Sequence, residues 1–254
     1  MREQLAPFIA ELALWRDLGL VLPLWWRDDD ATAPTPVLER LLALAAGFRA
    51  PFHLAIVPEP AVGDLADRLR DVPNAFALPH GWRHRNHAPP DEKKAEFGTH
   101  RPVEIMLDEI TQGWRRIEGM FGSQALPIFT PPWNRATPAV LGGLSGTGLR
   151  AISTFLPRRA KYAAENLLQV NTHFDPVDWR GGRGLLDPTR ISTHLVVQLT
   201  DRREKRADNS EPFGLLTHHL VHDESIWSFM ATLLEVLTQS GVAKWTSPLD
   251  EIGY

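Results

Sequence analysis

Two short stretches hold residues that could do chemistry together. "RDDDA" (27–31) puts Asp28, Asp29 and Asp30 in a row, and "HGWRHRNH" (80–87) holds His80, His84 and His87, three of the ten histidines of the chain. Two histidines four residues apart can close on one ion, and one aspartate would complete a set of two imidazoles and a carboxylate with an open position for water. A bound divalent ion of this kind acidifies water, and a neighbouring carboxylate can take the proton. Adjacent strand residues point to opposite sides, so three consecutive aspartates cannot all face one ion. One can bind metal while its neighbour acts as base. The simpler alternatives are an Asp-rich turn before "ATAPTP" and a surface histidine pair. His84 and His87, three apart, form a competing pair. Arg83 and Arg85 could offset acidic charge or bind an anionic group.

Three further segments carry polar residues. "TPPWN" (130–134) is a stiff Pro-Pro segment that could aim a main-chain N–H of Trp133 at a developing oxyanion, or be a simple loop. "HFDPVDW" (173–179) holds two aspartates. "LLTHH" (215–219) ends in His218 and His219, which a strand places on opposite sides, so one of them reaches a pocket and could protonate a leaving group. Trp25, Trp26, Trp82, Trp133 and Trp179 fall near the same segments. Aromatic faces suit sugar rings, although a tryptophan is more often core.

The elements that must position these residues alternate. Strands are predicted at 20–26, 51–57, 74–78, 125–130, 149–154, 165–171, 212–219 and 241–247. Helices are predicted at 34–48, 61–71, 101–122, 187–206, with Asp187 as N-cap, and 222–239. The N-terminal stretch has the spacing of an amphipathic helix. Alternating strands and helices imply a mostly parallel sheet with crossover helices. About seven parallel strands within 254 residues point to a distorted (β/α) barrel in a single domain spanning 1–254. In such a barrel the carboxyl ends of the strands share one face, and every polar segment above follows a predicted strand. The polar stretch 87–100 reads as a flap beside the third strand.

Composition narrows the rest. Hydrophobic residues are 43% and charged residues 23%, an ordinary globular balance, and the formal net charge is −4. With no long basic run, nucleic acid is not an expected partner. There is no cysteine, so any metal must be held by His, Asp or Glu. No apolar run approaches the roughly 20 residues that span a bilayer, and no signal peptide is visible. A cytoplasmic protein with no membrane partner is the expectation.

The ordered set "RDDDA", "HGWRH", "FTPPWN", "DPVDW" and "LLTH" resembles the motifs of the polysaccharide deacetylases, the NodB-homology fold of carbohydrate esterases. It covers residues 27 to 219. The resemblance implies a divalent metal, often zinc, and hydrolysis of an N- or O-acyl group, usually acetyl on a sugar or glycan. It implies Asp29 as general base, with Asp30, His80 and His84 as metal ligands, because Ala31 then stands where the family has Gly; Asp28/Asp29 is the alternative register. It implies His218 as general acid and the Trp133 N–H as oxyanion donor. Thr130 stands where the family has an arginine that tunes the base. Asp178 matches the acidic residue that pairs with that arginine, and Arg27 or Arg180 could take the arginine's place. The departures make a divergent member, for which a small sugar precursor or acyl-amide is as suitable a substrate as a polysaccharide. A binding protein that keeps the metal site without catalysis, and a different metal hydrolase such as a phosphoesterase, are the competing expectations.

Overall fold

A computed structural model of the protein describes residues 1–253. The chain runs through α1 (Ala6–Asp17), β1 (Leu22–Ala31), α2 (Pro36–Gly47), β2 (Phe52–Ile56), α3 (Gly63–Leu69), β3 (Ala75–Pro79) and α4 (Val103–Phe121). It continues through β4 (Ile128–Phe129), α5 (Pro138–Leu144), β5 (Ala151–Ile152), β6 (Tyr162–Ala164), β7 (Leu167–Gln169), α6 (Pro188–Arg203), β8 (Phe213–Thr217), α7 (Glu224–Gln239) and β9 (Ala243–Trp245).

The strands pair as β3-β2-β1-β8, with β9 on the first residues of β1, and as β4-β5-β7-β6. All pairs are parallel except β6 with β7. Short seams join the two sheets at both edges. Leu126 and Thr130 donate to the carbonyls of Ala77 and Pro79 on one side, and His173 and Leu216 exchange bonds with Gly214 and Phe174 on the other. The parallel strands β1, β2, β3, β4, β5, β7 and β8 therefore follow one another round a distorted α/β barrel, in sequence order. The antiparallel β6 departs from the all-parallel expectation; it is a short hairpin arm on β7 with Asn166 at its turn in the left-handed region.

Burial follows the parallel-sheet rule. β2 and β8 are buried along their whole length, as strands covered on both faces must be. α4 shows the helical counterpart: Met106, Ile110, Gly113, Trp114, Ile117 and Phe121 form its inward stripe. Helix starts are set by side-chain caps. Thr35, Thr137, Asp187 and Asp223 each accept a hydrogen bond from the backbone N–H three residues on, and each such cap contributes about 1 kcal/mol. Trp25 and Trp26 are fully buried, donating to the Asn171 carbonyl and to Thr217, so they belong to the core and not to the polar face. Among the described residues, no helix is long and apolar enough to cross a membrane.

Candidate metal centre

The three aspartates at the end of β1 have three different fates. Asp28 is fully buried against the end of β8, where its carboxylate accepts from Thr217 Oγ1 (2.6 Å), the His219 N–H (3.0 Å) and His219 Nδ1. Burial would raise its pKa, but His219 and Thr217 outweigh that and hold it below the usual range. Asp29 points the other way, onto the face it shares with Arg27 two residues back. Arg27 Nε and Nη2 donate to its two oxygens at 2.8 and 2.9 Å, a bidentate pair with both side chains buried. The same guanidinium donates to Ser153 and to Asn134 Oδ1, so its plane is fixed on every side.

Asp30 breaks the alternation. Between the pairs Asp28↔Leu54 and Ala31↔Ile56 the first strand takes one residue more than its partner. That is a β-bulge, and Asp30 sits in it at φ 77, outside the extended region. The bulge aims its carboxylate at the histidine loop. His80 Nε2 and His84 Nε2 both lie beside the same oxygen, Asp30 Oδ1, at 3.1 and 3.2 Å. The ligand atoms of Asp30, His80 and His84 all fall within 4.8 Å of one another.

This donor set fits a divalent cation. His80 Nδ1 lies 2.9 Å from the Thr130 carbonyl, which can only accept, so that nitrogen carries the proton and Nε2 presents a lone pair. A lone pair facing a carboxylate oxygen is repulsive unless a proton or a metal ion joins them. The electrostatics agree. Burial alone would raise Asp30, yet protonated His80 and His84 rings, or a cation in place of their protons, hold it far below the ordinary carboxylate range. Burial alone would lower His84, yet Asp30 raises it. The pocket favours positive charge at the point where the three side chains meet. His87 lies outside this group, so the competing pair is not assembled.

Two groups face the carboxylate of Asp29. His218 Nε2 lies 4.0 Å from Asp29 Oδ2, and its Nδ1 lies 3.5 Å from Asp175 Oδ2. Asp175 is held by Trp179 Nε1 at 2.8 Å, and burial raises its pKa above the ordinary value. The aspartate of "DPVDW" that reaches this face is therefore Asp175. Asp178, the residue matched from sequence, instead accepts from the N–H groups of Arg180 and Gly181 and closes its own loop. Its partner is not Arg27, and Arg180 is not the partner of Asp29. Of the two late histidines, His218 faces the aspartates and His219 is taken up by Asp28.

Trp133 and Asn134 both adopt left-handed backbone, with φ 55 and 57, in the stiff segment after β4. The Trp133 ring packs on His84 with centroids 4.4 Å apart, and Trp179 stands edge-on to His218 at 4.7 Å. Thr130, in the position of the missing arginine, fixes His80 through its carbonyl and ties itself to Pro79 through Oγ1. Sequence reasoning missed Asn134, Ser153 and Asp175 as members of the site. Asn134 and Asp175 lie inside segments already singled out, "TPPWN" and "HFDPVDW", and so left a signal that could have found them; Ser153 left none.

No protein-family model matches the chain, and no curated protein matches it. Solved structures do. A carbohydrate esterase of family 4 from Streptococcus mutans is similar at 12% identity, covering 95% of this chain and 90% of its own, with a TM-score of 0.56. The peptidoglycan deacetylase PdaC from Bacillus subtilis is similar at 15% identity, covering 91% of each chain, with a TM-score of 0.53. A family 4 acetyl xylan esterase from Clostridium thermocellum, solved with a cobalt ion, is similar at 14% identity, covering 90% of this chain and 89% of its own, with a TM-score of 0.51.

Proposed function

From the premise that this chain has the polysaccharide deacetylase fold, as a divergent example at low sequence identity, we propose that it is a metal-dependent deacylase. It removes an acyl group, N-acetyl above all, from a sugar or sugar-like substrate, and its single catalytic domain spans 1–254. One observation carries the reading. A metal-ready Asp30–His80–His84 group stands beside a buried carboxylate, Asp29, which is clamped by arginine and faced by His218. The peptidoglycan deacetylase and acetyl xylan esterase neighbours support acetylated glycans as the substrate class.

Asp30, His80 and His84 would hold the ion, zinc in the first instance. When bound, it supplies Lewis acidity to the acyl oxygen and to a water. Asp29 takes the proton from that water. Arg27 holds the Asp29 carboxylate in one orientation through two bonds, leaving its other lone pairs for the water. The Trp133 N–H donates to the developing oxyanion, and its rigid left-handed backbone avoids reorganisation at the moment of reaction. His218 Nε2 delivers a proton to the leaving nitrogen or oxygen, with the Asp175 carboxylate 3.5 Å from its other nitrogen favouring the charged ring. The 4.0 Å between His218 and Asp29 is too long for a bond between them, so each is free to engage the substrate.

Acetate release from N-acetylated and O-acetylated sugars, with chelated and zinc-restored protein, tests this. Release that disappears on chelation and returns with zinc is the expected result. A metal-loaded protein that releases no acyl group from any of them would instead be a binding protein.

A further inference from the structure

The flap after the histidine loop carries a buried carboxylate. Glu96 is 1% exposed, between the exposed stretch 90–94 and the exposed residues 99–100. It makes no ion pair among the described residues. Arg101 does not neutralise it, since that guanidinium reaches Glu109 at 2.7 Å and only the main-chain carbonyl of Glu96. Its carboxylate instead accepts from three N–H groups of one loop: Trp82 at 3.2 Å, Arg83 at 2.8 Å and Arg85 at 3.4 Å. These flank His84, whose own φ is 55.

We propose that Glu96 is the positioning residue of the metal centre, a carboxylate clasp that holds the His80–His84 loop in its ligating shape and supplies the second negative charge that a divalent cation balances. The inference rests on the metal reading of Asp30, His80 and His84. Three facts carry it. A buried carboxylate is costly unless hydrogen-bonded and charge-compensated. Main-chain N–H groups supply the bonds here, and among the described residues no side chain forms an ion pair with the carboxylate. Asp30 and Glu96 together offer the −2 that a divalent ion would offset.

The loop is also shaped around this group. Gly81 has φ 64, and a Cβ there would collide with Glu96 Oε2 and with Pro132. Gly113 of α4 lets the helix pass close to the Gly81 carbonyl, which a Cβ there would meet at 3.1 Å, closing the other side. The segment that delivers Glu96 is itself pinned, by Asn86 Oδ1 to the Ala95 N–H and by the Phe97 carbonyl to the Thr137 N–H. The flap is thus an internal strut of the histidine loop as well as its cover.

The test is calorimetric titration of zinc into the chelator-stripped full chain, wild type and Glu96→Gln. Gln keeps the shape, removes the charge and turns one acceptor into a donor facing N–H groups. A Kd weakened about 10–100-fold with unchanged stoichiometry is the expected result, the size typical for losing a partner behind a metal ligand. A Kd within about threefold of wild type overturns the proposal. A wild type that binds no zinc overturns the metal reading and the clasp with it, a different outcome from equal binding by both proteins. Should Glu96→Gln fail to fold, hydrogen exchange on stripped wild type decides. Protected Trp82 and Arg83 amides support a loop held before metal arrives; exchange as fast as in the exposed residues 91–94 overturns it.

Discussion

At the carboxyl end of β8, His218 leads into a group of aspartates and histidines whose polar atoms are only partly paired with one another. At the amino end of the same strand, Glu211 is the hub of a second buried charge network. Glu211 Oε1 accepts from the Asn171 N–H, and Oε2 accepts from the Arg158 N–H and His173 Nε2. The Arg158 guanidinium is taken up by Asp208 and Glu251, and Arg202 donates to the carbonyls of Glu211 and Asp208. His173 Nδ1 accepts from the Gly214 N–H. Both networks are made of the same residue types, but they obey different rules. The amino-end network satisfies its carboxylates with fixed protein donors and ties the C-terminal segment to α6 and β7. The carboxyl-end group leaves His218 Nδ1 without a hydrogen bond, sets the His80 lone pair and His84 Nε2 against one carboxylate oxygen, and holds Asp30, His84, Trp133 and Asn134 at left-handed φ. Strain and unmet polar groups mark the end built for a ligand. At the amino end the carboxylates are closed off by fixed protein donors, although Arg202 Nε finds no partner there.

The sharpest way to break this contrast is at Asp29. Asp29→Asn should lower kcat about 10²–10⁴-fold, the range for losing a general base, with metal content unchanged. Near-normal turnover would remove Asp29 from that role. The opposite end should respond in stability instead. Glu211→Ala leaves Arg158, Arg202 and His173 facing a hole and should cost about 3–5 kcal/mol of stability in urea unfolding. The kcat per folded molecule should hold; a loss of kcat without loss of stability would erase the distinction between the two networks.

The pH response is the next in size. Burial pushes His53 and His173 down to about 4, the latter despite Glu211. The unfolded chain therefore binds more protons than the folded one between about pH 6.5 and 4, and stability falls as pH falls through that window. For His53 alone the loss between pH 7 and 5 is about 2 kcal/mol. Metal-stripped protein should show the same slope, and a flat profile across this window would contradict the neutral buried histidines. The smallest effect is expected for Arg27→Lys. A single ammonium cannot reproduce two parallel bonds to Asp29, and a loss of about tenfold in kcat is expected. An unchanged kcat would leave the clamp without a role in orienting Asp29.

Much of this arrangement was legible in the sequence, for physical reasons that can be named. Parallel strands buried on both faces read as apolar runs such as "PFHLAIV", and the polar residues just beyond them mark the end that faces a ligand. The N-cap role of Asp187 was visible in its own residue type and in Pro188 after it. The fate of the aspartates was not. Strand alternation allowed one of three to face the ion but could not say which, because the choice is made by a bulge at Asp30 that depends on pairing with β2. Asp175 and Asp178 differ by three residues in one loop, and only its folded path sends the first to His218. Glu96 lay in a stretch that reads as a solvated flap, since its burial arises from a loop fourteen residues earlier and from Pro132. Thr130 stands where an arginine was expected, and of the two replacements the sequence offered, Arg27 and Arg180, it is Arg27 that reaches Asp29.

The central claim is that Asp30, His80 and His84 form a metal centre, and metal content by inductively coupled plasma mass spectrometry tests it most directly. Wild type and His80→Ala would be purified without added metal and compared after zinc reconstitution and desalting. About one ion per chain in wild type, lost in His80→Ala, is the predicted result. A wild-type chain that retains no metal after reconstitution would contradict it.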